Sequence, residues 1–393
     1  MITFCFDRVA DQWYGYPNLA VWSADPYTDA WRQFDRHWPF SVPLRLLMYF
    51  RFNNVEYHVV PVNQAESAWY PVAFGWFDFD CDYVGLLSLT VIEKIKQGCV
   101  KILFYYHEGD NPKRIKLRLD SLCRLHSLPD NCYVFVSANT AADTLENCLY
   151  FPDHEFFFRH LNRHQPNKSE NCARMYDFTL LSRTHKWWRA TCVADLSRSG
   201  ILDNSLWSYN TGIDIGDRFE DNPIEIDSIP GGRDAVKQFV IRGPYACDSV
   251  DQQQQNNHHR INESLYRASN IHIVLETHFD ADQSGGAFIT EKTYKVIKYG
   301  QPFVIAGPPG TLAQLKKDGY RTFDSVIDPA YDSITDNTRR WHTVKQLLQQ
   351  LKNRGCQNIF SRCSDDVQHN QEMFLTRTVK PLNDLTKKLS ELV

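Results

Sequence analysis

The pattern that most constrains the fold is an alternation of short apolar runs with segments of helical spacing. Residues 101–106, KILFYY, form a nearly continuous apolar run of the kind expected for a strand buried on both faces. Segments of helical spacing at 88–97 and 115–125 precede and follow it, and residues 132–136 form a second buried run. Strand, helix and strand joined by short connections are typical of a parallel, doubly wound sheet.

The same alternation restarts in the second half, after the polar stretch HQPNKSENCA at residues 164–173. We interpret that stretch as the linker between two domains. Strands are predicted at 176–181, 271–275 and 302–305, and helices at 184–198, 291–299 and 311–318. The sequence therefore predicts an α/β protein with two Rossmann-like domains that face a cleft. The first domain is expected at 1–165 and the second, which ends in helices, at 174–393.

Other segments are assigned with weaker patterns. Residues 2–6, 19–22 and 55–62 are rich in β-branched and aromatic side chains, so we expect strands there. Residues 211–260 look irregular, and the run QQQQNN at 252–257 predicts a solvated loop. Apolar residues at 344, 347, 348 and 351 have helical spacing, so we expect helices in the C-terminal region.

Composition excludes several classes of protein. The chain of 393 residues has 43 lysines and arginines against 47 aspartates and glutamates, a net charge of −4. This balance counts against a broad nucleic-acid-binding surface. The 11 cysteines are scattered and never form a C-x-x-C pair, which favours a reducing, cytoplasmic setting without disulfides or zinc. No apolar run has the length of a signal peptide core or a membrane span, so neither is expected.

The stretch most informative about function lies within residues 271–323. A predicted strand ends at Glu276, a glycine-containing loop follows, and Thr290, Glu291 and Lys292 open the next helix. Thr290 is a candidate N-cap, and Glu291 suits the positive end of the helix dipole. Amides at a helix start, together with Lys292, form an anion site without a metal ion. A nucleotide phosphate is the expected anion.

This stretch resembles the donor-binding half of GT-B glycosyltransferases, most closely the fucosyltransferase-like group. The family pattern is a strand ending in glutamate, a loop, a (T/S)-E-K helix start and a strand led by proline. The matching residues, in order, are Glu276, Thr290, Glu291, Lys292, Gly300 and Pro302. The resemblance implies that Glu291 holds the nucleotide ribose and Lys292 contacts the diphosphate, with Glu276 and Thr290 in the same nucleotide-sugar site. The loop at 308–311, PPGT, departs from the group's usual loop and leaves the donor open.

Two further residues fit the same resemblance. Arg183 follows a predicted strand, at the edge where open α/β sheets bind ligands. It is similar in position to the basic residue that contacts the diphosphate in the family. Glu108, in the segment YYHEGDN, is similar to the strand-end glutamate thought to act as base in fucosyltransferases. Because an inverting transfer needs a carboxylate or histidine beside the acceptor hydroxyl, Glu108 is the first candidate base, with His107 and Asp110 as alternatives.

Three other motifs favour different chemistry but are weaker. The segment DFD at 78–80 matches the D-x-D metal motif of GT-A enzymes, yet it is short and lies far along the chain from the predicted phosphate site. The sequence GPPGT at 307–311 lacks the lysine of a P-loop, and His160 and His164 lack the glutamate of H-E-x-x-H. We therefore expect no metal, and no cofactor besides the nucleotide-sugar co-substrate.

Together these features predict a metal-independent glycosyltransferase that moves a sugar from a nucleotide-sugar to a hydroxyl of a glycan or another acceptor. Two alternatives are a non-catalytic nucleotide-binding protein with the same fold and a glycosyltransferase acting on nucleic-acid bases. The net acidity counts against the second alternative. The resemblance also implies that the last helices return to the N-terminal half, as is common in this fold.

Overall fold

A computed structural model describes residues 1–6, 46, 49–50, 53–74, 77–161, 174–211, 218–247, 262–376 and 379–393. The chain forms two compact units, Met1–Phe157 with Thr378–Val393, and Phe158–Arg377. Each unit is built on a parallel β-sheet, of six strands in the first and four in the second, with helices between the strands. The predicted α/β class with two Rossmann-like sheets is confirmed.

The first sheet has the strand order β2-β1-β3-β4-β5-β6, and all neighbours are parallel. Its strands are β1 (Ile2–Phe6), β2 (Tyr57–Pro61), β3 (Ala68–Phe74), β4 (Val100–Tyr106), β5 (Tyr133–Ser137) and β6 (Cys148–Tyr150). The helices after β3, β4 and β6 are α1 (Leu89–Lys96), α2 (Pro112–Leu125) and α3 (Asp153–Leu161). Both α1 and α2 begin at a side-chain cap, where Ser88 Oγ accepts from Val91 N and Asn111 Oδ1 accepts from Lys113 N.

The sequence missed β3, which lies between β1 and β4. Pro71 is in the middle of this strand, opposite Leu103 of β4. Proline cannot donate a hydrogen bond to a neighbouring strand, so its presence argues against a central strand. The predicted strand at 19–22 and the predicted linker at 164–173 lie outside the described residues.

The second sheet has the strand order β10-β9-β7-β8. Its strands are β7 (Tyr176–Ser182), β8 (Leu206–Tyr209), β9 (Ser269–Leu275) and β10 (Phe303–Ala306). The chain runs from β7 to β8 on one side, then returns to the other side of β7 for β9 and β10. The order therefore reverses between β7 and β9. In open α/β sheets, ligands bind beyond the carboxyl ends of the strands at such a switch point.

Nine helices are described in the second unit. They are α4 (Trp187–Arg198), α5 (Gly232–Arg242), α6 (Glu263–Ala268), α7 (Ala281–Ser284), α8 (Glu291–Lys298), α9 (Thr311–Lys317), α10 (Asn337–Arg354), α11 (Cys356–Arg362) and α12 (Ser364–Thr376). The predicted apolar stripe of α10 is confirmed, since Val344, Leu347, Leu348 and Leu351 are all buried. Helix α5 corrects the expectation of irregular structure throughout 211–260. The glutamine-rich run lies outside the described residues.

The last helix, α13 (Lys380–Leu392), belongs to the first unit. Its leucines 382, 385 and 389 join the same buried cluster as Ile2 and Phe4 of β1. Trp69 Nε1 of β3 donates to the carbonyl of Leu389 at 3.2 Å. The predicted second domain, 174–393, is thereby corrected at its end, because residues 378–393 pack on the first sheet while α10 to α12 stay in the second unit. None of the helices in the described ranges combines the length and apolar character needed to cross a bilayer.

Candidate functional site

The site candidate lies at the switch point of the second sheet. Strands β7 and β9 are parallel neighbours, so their carboxyl ends meet at one edge. Arg183 follows β7 directly, Glu276 follows β9 directly, and α8 starts at Glu291 after the N-cap Thr290. The structure thus places the sequence-predicted Arg183, Glu276, Thr290, Glu291 and Lys292 in the second unit, on loops and a helix start that adjoin these strand ends.

The carboxylate of Glu276 is fully buried and anchors this edge. It accepts hydrogen bonds from the hydroxyls of Thr290 and Thr293, each at 2.6 Å. It also accepts from the backbone amides of Thr277 at 3.3 Å and Thr290 at 3.2 Å. The end of β9 is thereby joined to the first turn of α8.

These contacts change the role of two predicted ligands. Glu276 is 0% exposed and Thr290 is 1% exposed, and both side chains are engaged within the protein. We therefore assign them a positioning role in place of direct contact with a nucleotide-sugar. A sequence shows a carboxylate at a strand end, but it does not show which way that carboxylate faces.

The ammonium of Lys292 lies over the end of β9. Its Nζ donates to Thr277 Oγ1 at 3.0 Å and to Thr290 Oγ1 at 3.1 Å, and it lies 3.5 Å from Glu291 Oε1. The side chain of Lys292 is 28% exposed and that of Glu291 is 19% exposed. Both groups therefore remain partly exposed at the surface, and the two threonines hold the ammonium of Lys292 in place.

Two basic residues in the segment from the end of β7 to the first turn of α4 reach the same strand end. Neither was predicted from the sequence. Lys186 Nζ donates to the carbonyl of Thr277 at 2.9 Å. Arg189, buried on α4, donates from Nη2 and Nε to the carbonyl of Glu276, at 2.6 and 3.2 Å, and from Nη1 to Thr184 O at 3.3 Å. The signal was present as three basic residues, at 183, 186 and 189, within the short segment that follows a predicted strand.

The edge carries five basic side chains against two carboxylates, those of Glu276 and Glu291. Burial, together with nearby Lys186, Arg189 and Lys292, lowers the pKa of His278 to about 3. Burial also lowers the pKa of Lys295 on α8; Glu291 opposes this shift, while Lys292 and Arg183 add to it. We call the five cations the basic cluster: Arg183, Lys186, Arg189, Lys292 and Lys295. An anion bound there would relieve the repulsion among these charges.

The start of α9, which carries the GPPGT sequence, is a different kind of helix start. The amides of Leu312 and Ala313 donate to the carboxylate of Asp332, at 2.9 and 3.0 Å. Gly310, at φ 83°, forms the turn before them, and its amide donates to the carbonyl of Asp332. The protein's own carboxylate and carbonyl thus accept from the amides at this helix start.

The sequence-predicted base Glu108 lies in the first unit, two residues beyond the end of β4. Its side chain is 36% exposed, and Oε1 lies 3.6 Å from His107 Nε2. The alternative base Asp110 accepts a hydrogen bond from the buried hydroxyl of Tyr106. His154 Nε2 donates to the carbonyl of His107 at 3.0 Å, which orders the turn around Glu108. The structure thus places Glu108 at the carboxyl edge of one sheet and the basic cluster at the carboxyl edge of the other.

The acidic segment at 78–82 makes contacts of its own. Asp82 Oδ2 lies 2.7 Å from His126 Nε2, and Asp78 Oδ1 accepts from Asp80 N at 2.9 Å. Within the described ranges, no group of three or more His, Cys, Asp or Glu side chains is arranged to hold a metal ion.

Comparisons with protein-family models, with curated proteins and with solved structures find no match to this chain.

Proposed function

We propose that the chain is a GT-B glycosyltransferase that takes its sugar from a nucleoside-diphosphate sugar. The observation that carries this proposal is the basic cluster at the switch point between β7 and β9. Switch points are where open α/β sheets bind nucleotides, and a diphosphate has the charge that complements the cluster. The T-E-K helix start at residues 290–292 agrees with the family resemblance of the sequence.

In this proposal Lys292 binds the diphosphate and stabilises it as the leaving group. When the bond between the anomeric carbon and the diphosphate oxygen breaks, negative charge builds on that oxygen. Cations held in place before the reaction stabilise such charge without reorganisation, an effect of several kcal/mol. Thr277 and Thr290 hold the ammonium of Lys292 in place through the bonds given above.

Glu291 is proposed to hold the nucleotide ribose. Its carboxylate lies at the start of α8, beside Lys292, and remains partly exposed. A carboxylate accepts hydrogen bonds from two neighbouring hydroxyls, which is what a ribose offers. The nucleoside and the diphosphate would thereby be bound by adjacent residues of one helical turn.

The proton of the acceptor hydroxyl is proposed to go to Glu108. The acceptor oxygen then bonds to the anomeric carbon, the carbon–oxygen bond to the diphosphate breaks, and the nucleoside diphosphate leaves. A half-exposed carboxylate beside His107 can accept that proton. The acceptor would accordingly bind in the first unit and the donor in the second.

The proposal is tested by incubating the chain with UDP- and GDP-sugars, in EDTA, and measuring release of the nucleoside diphosphate. A glycosyltransferase is expected to release it slowly without an acceptor and faster with a matching glycan. Binding of nucleotides without release of a nucleoside diphosphate from any nucleotide-sugar would favour the non-catalytic alternative. Absence of both binding and release would overturn the proposal.

A further inference from the structure

Resting on that proposed function, we infer that Lys186 is a second diphosphate-binding lysine and that it makes the site select nucleoside diphosphates over nucleoside monophosphates. Lys186 is not part of the T-E-K motif and comes from the other side of the switch point. It lies in the segment between β7 and α4, whereas Lys292 lies on α8.

The two lysines converge on a single residue. Lys186 Nζ lies 2.9 Å from the carbonyl oxygen of Thr277, and Lys292 Nζ lies 3.0 Å from the hydroxyl oxygen of the same residue. Both acceptors are uncharged, so neither of these two bonds cancels the charge of its lysine, although Lys292 also lies 3.5 Å from the carboxylate of Glu291. The geometry therefore holds two positive charges at the end of β9, approached from two directions.

The surroundings of Thr277 strengthen the positive potential. Arg189 donates to the carbonyl of the preceding residue, Glu276, whose carboxylate is itself engaged by four donors of the protein. The next residue, His278, is kept uncharged at neutral pH because burial and the three nearby cations lower its pKa to about 3. Two carboxylates also lie near this point, that of Glu291 beside Lys292 and the buried one of Glu276, and the other groups named here are basic or neutral.

Two separated ammonium groups suit a ligand with two phosphoryl groups. A nucleoside monophosphate presents one phosphoryl group, which Lys292 alone can meet. A diphosphate adds a second phosphoryl group and its charge, which is where Lys186 contributes. Loss of one hydrogen bond to a charged group corresponds to roughly a 10- to 100-fold loss of affinity.

The experiment is calorimetric titration of the whole chain with UDP, GDP, UMP and GMP, using the natural protein, Lys186→Met and Lys317→Met. Methionine keeps most of the length of the side chain and removes the charge. Lys317, exposed in the last turn of α9 in the same unit, is the matched control. Lys186→Met is expected to weaken binding of the diphosphate roughly 10- to 100-fold and to change the monophosphate far less. Lys317→Met is expected to change neither.

A second measurement uses only the natural protein and covers the case in which Lys186→Met fails to fold. Lysines are acetylated with and without saturating nucleoside diphosphate, and the modified sites are identified by mass spectrometry. Lys186 and Lys292 are expected to be protected, and Lys317 is expected to react equally in both samples.

The outcomes separate this inference from the proposed function. If a diphosphate binds but Lys186→Met binds it as the natural protein does, or Lys186 is acetylated equally with and without it, the present inference is wrong and the proposed function stands. If the natural protein binds no nucleotide, both are overturned.

Discussion

The hydroxyl of Thr290 donates to the buried carboxylate of Glu276 at 2.6 Å, across fourteen residues of chain. This bond joins the end of β9 to the N-cap of α8, so the loop between them begins and ends at the same anchor. Lys292, two residues after Thr290, donates a hydrogen bond from Nζ to the oxygen of the same hydroxyl. The position of Lys292, the proposed diphosphate-binding residue, is thereby coupled to the buried carboxylate of Glu276.

Replacing that carboxylate should destabilise the protein. Glu276→Ala leaves two threonine hydroxyls and two amides without their acceptor inside the protein, so the free energy of unfolding is expected to fall by about 3 kcal/mol or more. Urea denaturation at pH 7.5 measures it. The control Glu372→Ala, at an exposed position of α12, should change the value by less than about 0.5 kcal/mol. Equal effects of the two substitutions would refute the anchoring role of Glu276.

A second prediction concerns acid stability and His272 of β9. Burial lowers the pKa of this imidazole to about 3, well below its usual value of about 6.5. Between these pH values the unfolded chain binds a proton that the folded chain does not. Its contribution to stability is therefore complete above pH 6.5 and is lost as the pH falls, by about 2 kcal/mol at pH 5.

The test compares unfolding free energies at pH 7.5 and pH 5 in the natural protein, His272→Gln and His369→Gln. His272→Gln should lose about 2 kcal/mol less than the natural protein over this interval. His369, which lies on α12 and hydrogen-bonds to the carbonyl of Gly319, provides the control for replacing a histidine by glutamine. The same loss in all three proteins would show that His272 is not a source of the acid sensitivity.

The third prediction concerns the proposed base. Glu108→Gln keeps the size of the side chain but cannot accept the proton of an acceptor hydroxyl. Turnover should fall by at least about 100-fold, while the dissociation constant of the nucleoside diphosphate stays the same. Initial rates and calorimetry measure the two quantities. His107→Gln and Asp110→Asn are the comparisons, and an intact rate in Glu108→Gln with a lost rate in either of them would move the base to that residue.

Much of the fold could be predicted because several buried strands are continuous apolar runs in the sequence. β4 and β9 lie within one or two residues of the predicted ranges for this reason. β3 could not be predicted, because a proline at position 71 argues against a central strand. The structure nevertheless pairs β3 with β4 along its whole length. The place of α13 could not be predicted either, because a pattern of apolar residues does not show which of two sheets Leu382, Leu385 and Leu389 pack on.

The sequence motif of the candidate site could be predicted, but the burial and the contacts of its side chains could not. Lys292 and Arg183 are found from their positions after predicted strands or at a helix start. The positioning role of Glu276 depends on burial, which a single carboxylate in a sequence does not reveal. Lys186 and Arg189 escaped notice because basic residues near a helix start are common on surfaces, and only the pairing of β7 with β9 shows what they contact.

The most direct test of the proposed donor site is the binding of UDP and GDP to the natural chain and to Lys292→Ala. At least one of the two nucleotides is expected to bind, and at about 100 times its dissociation constant it should add about 2.7 kcal/mol of stability. Lys292→Ala should weaken that binding roughly 10- to 100-fold, whereas Lys317→Ala should not. Absence of binding by the natural chain, or equal binding by Lys292→Ala, would contradict a nucleoside-diphosphate site at the junction of β7, β9 and α8.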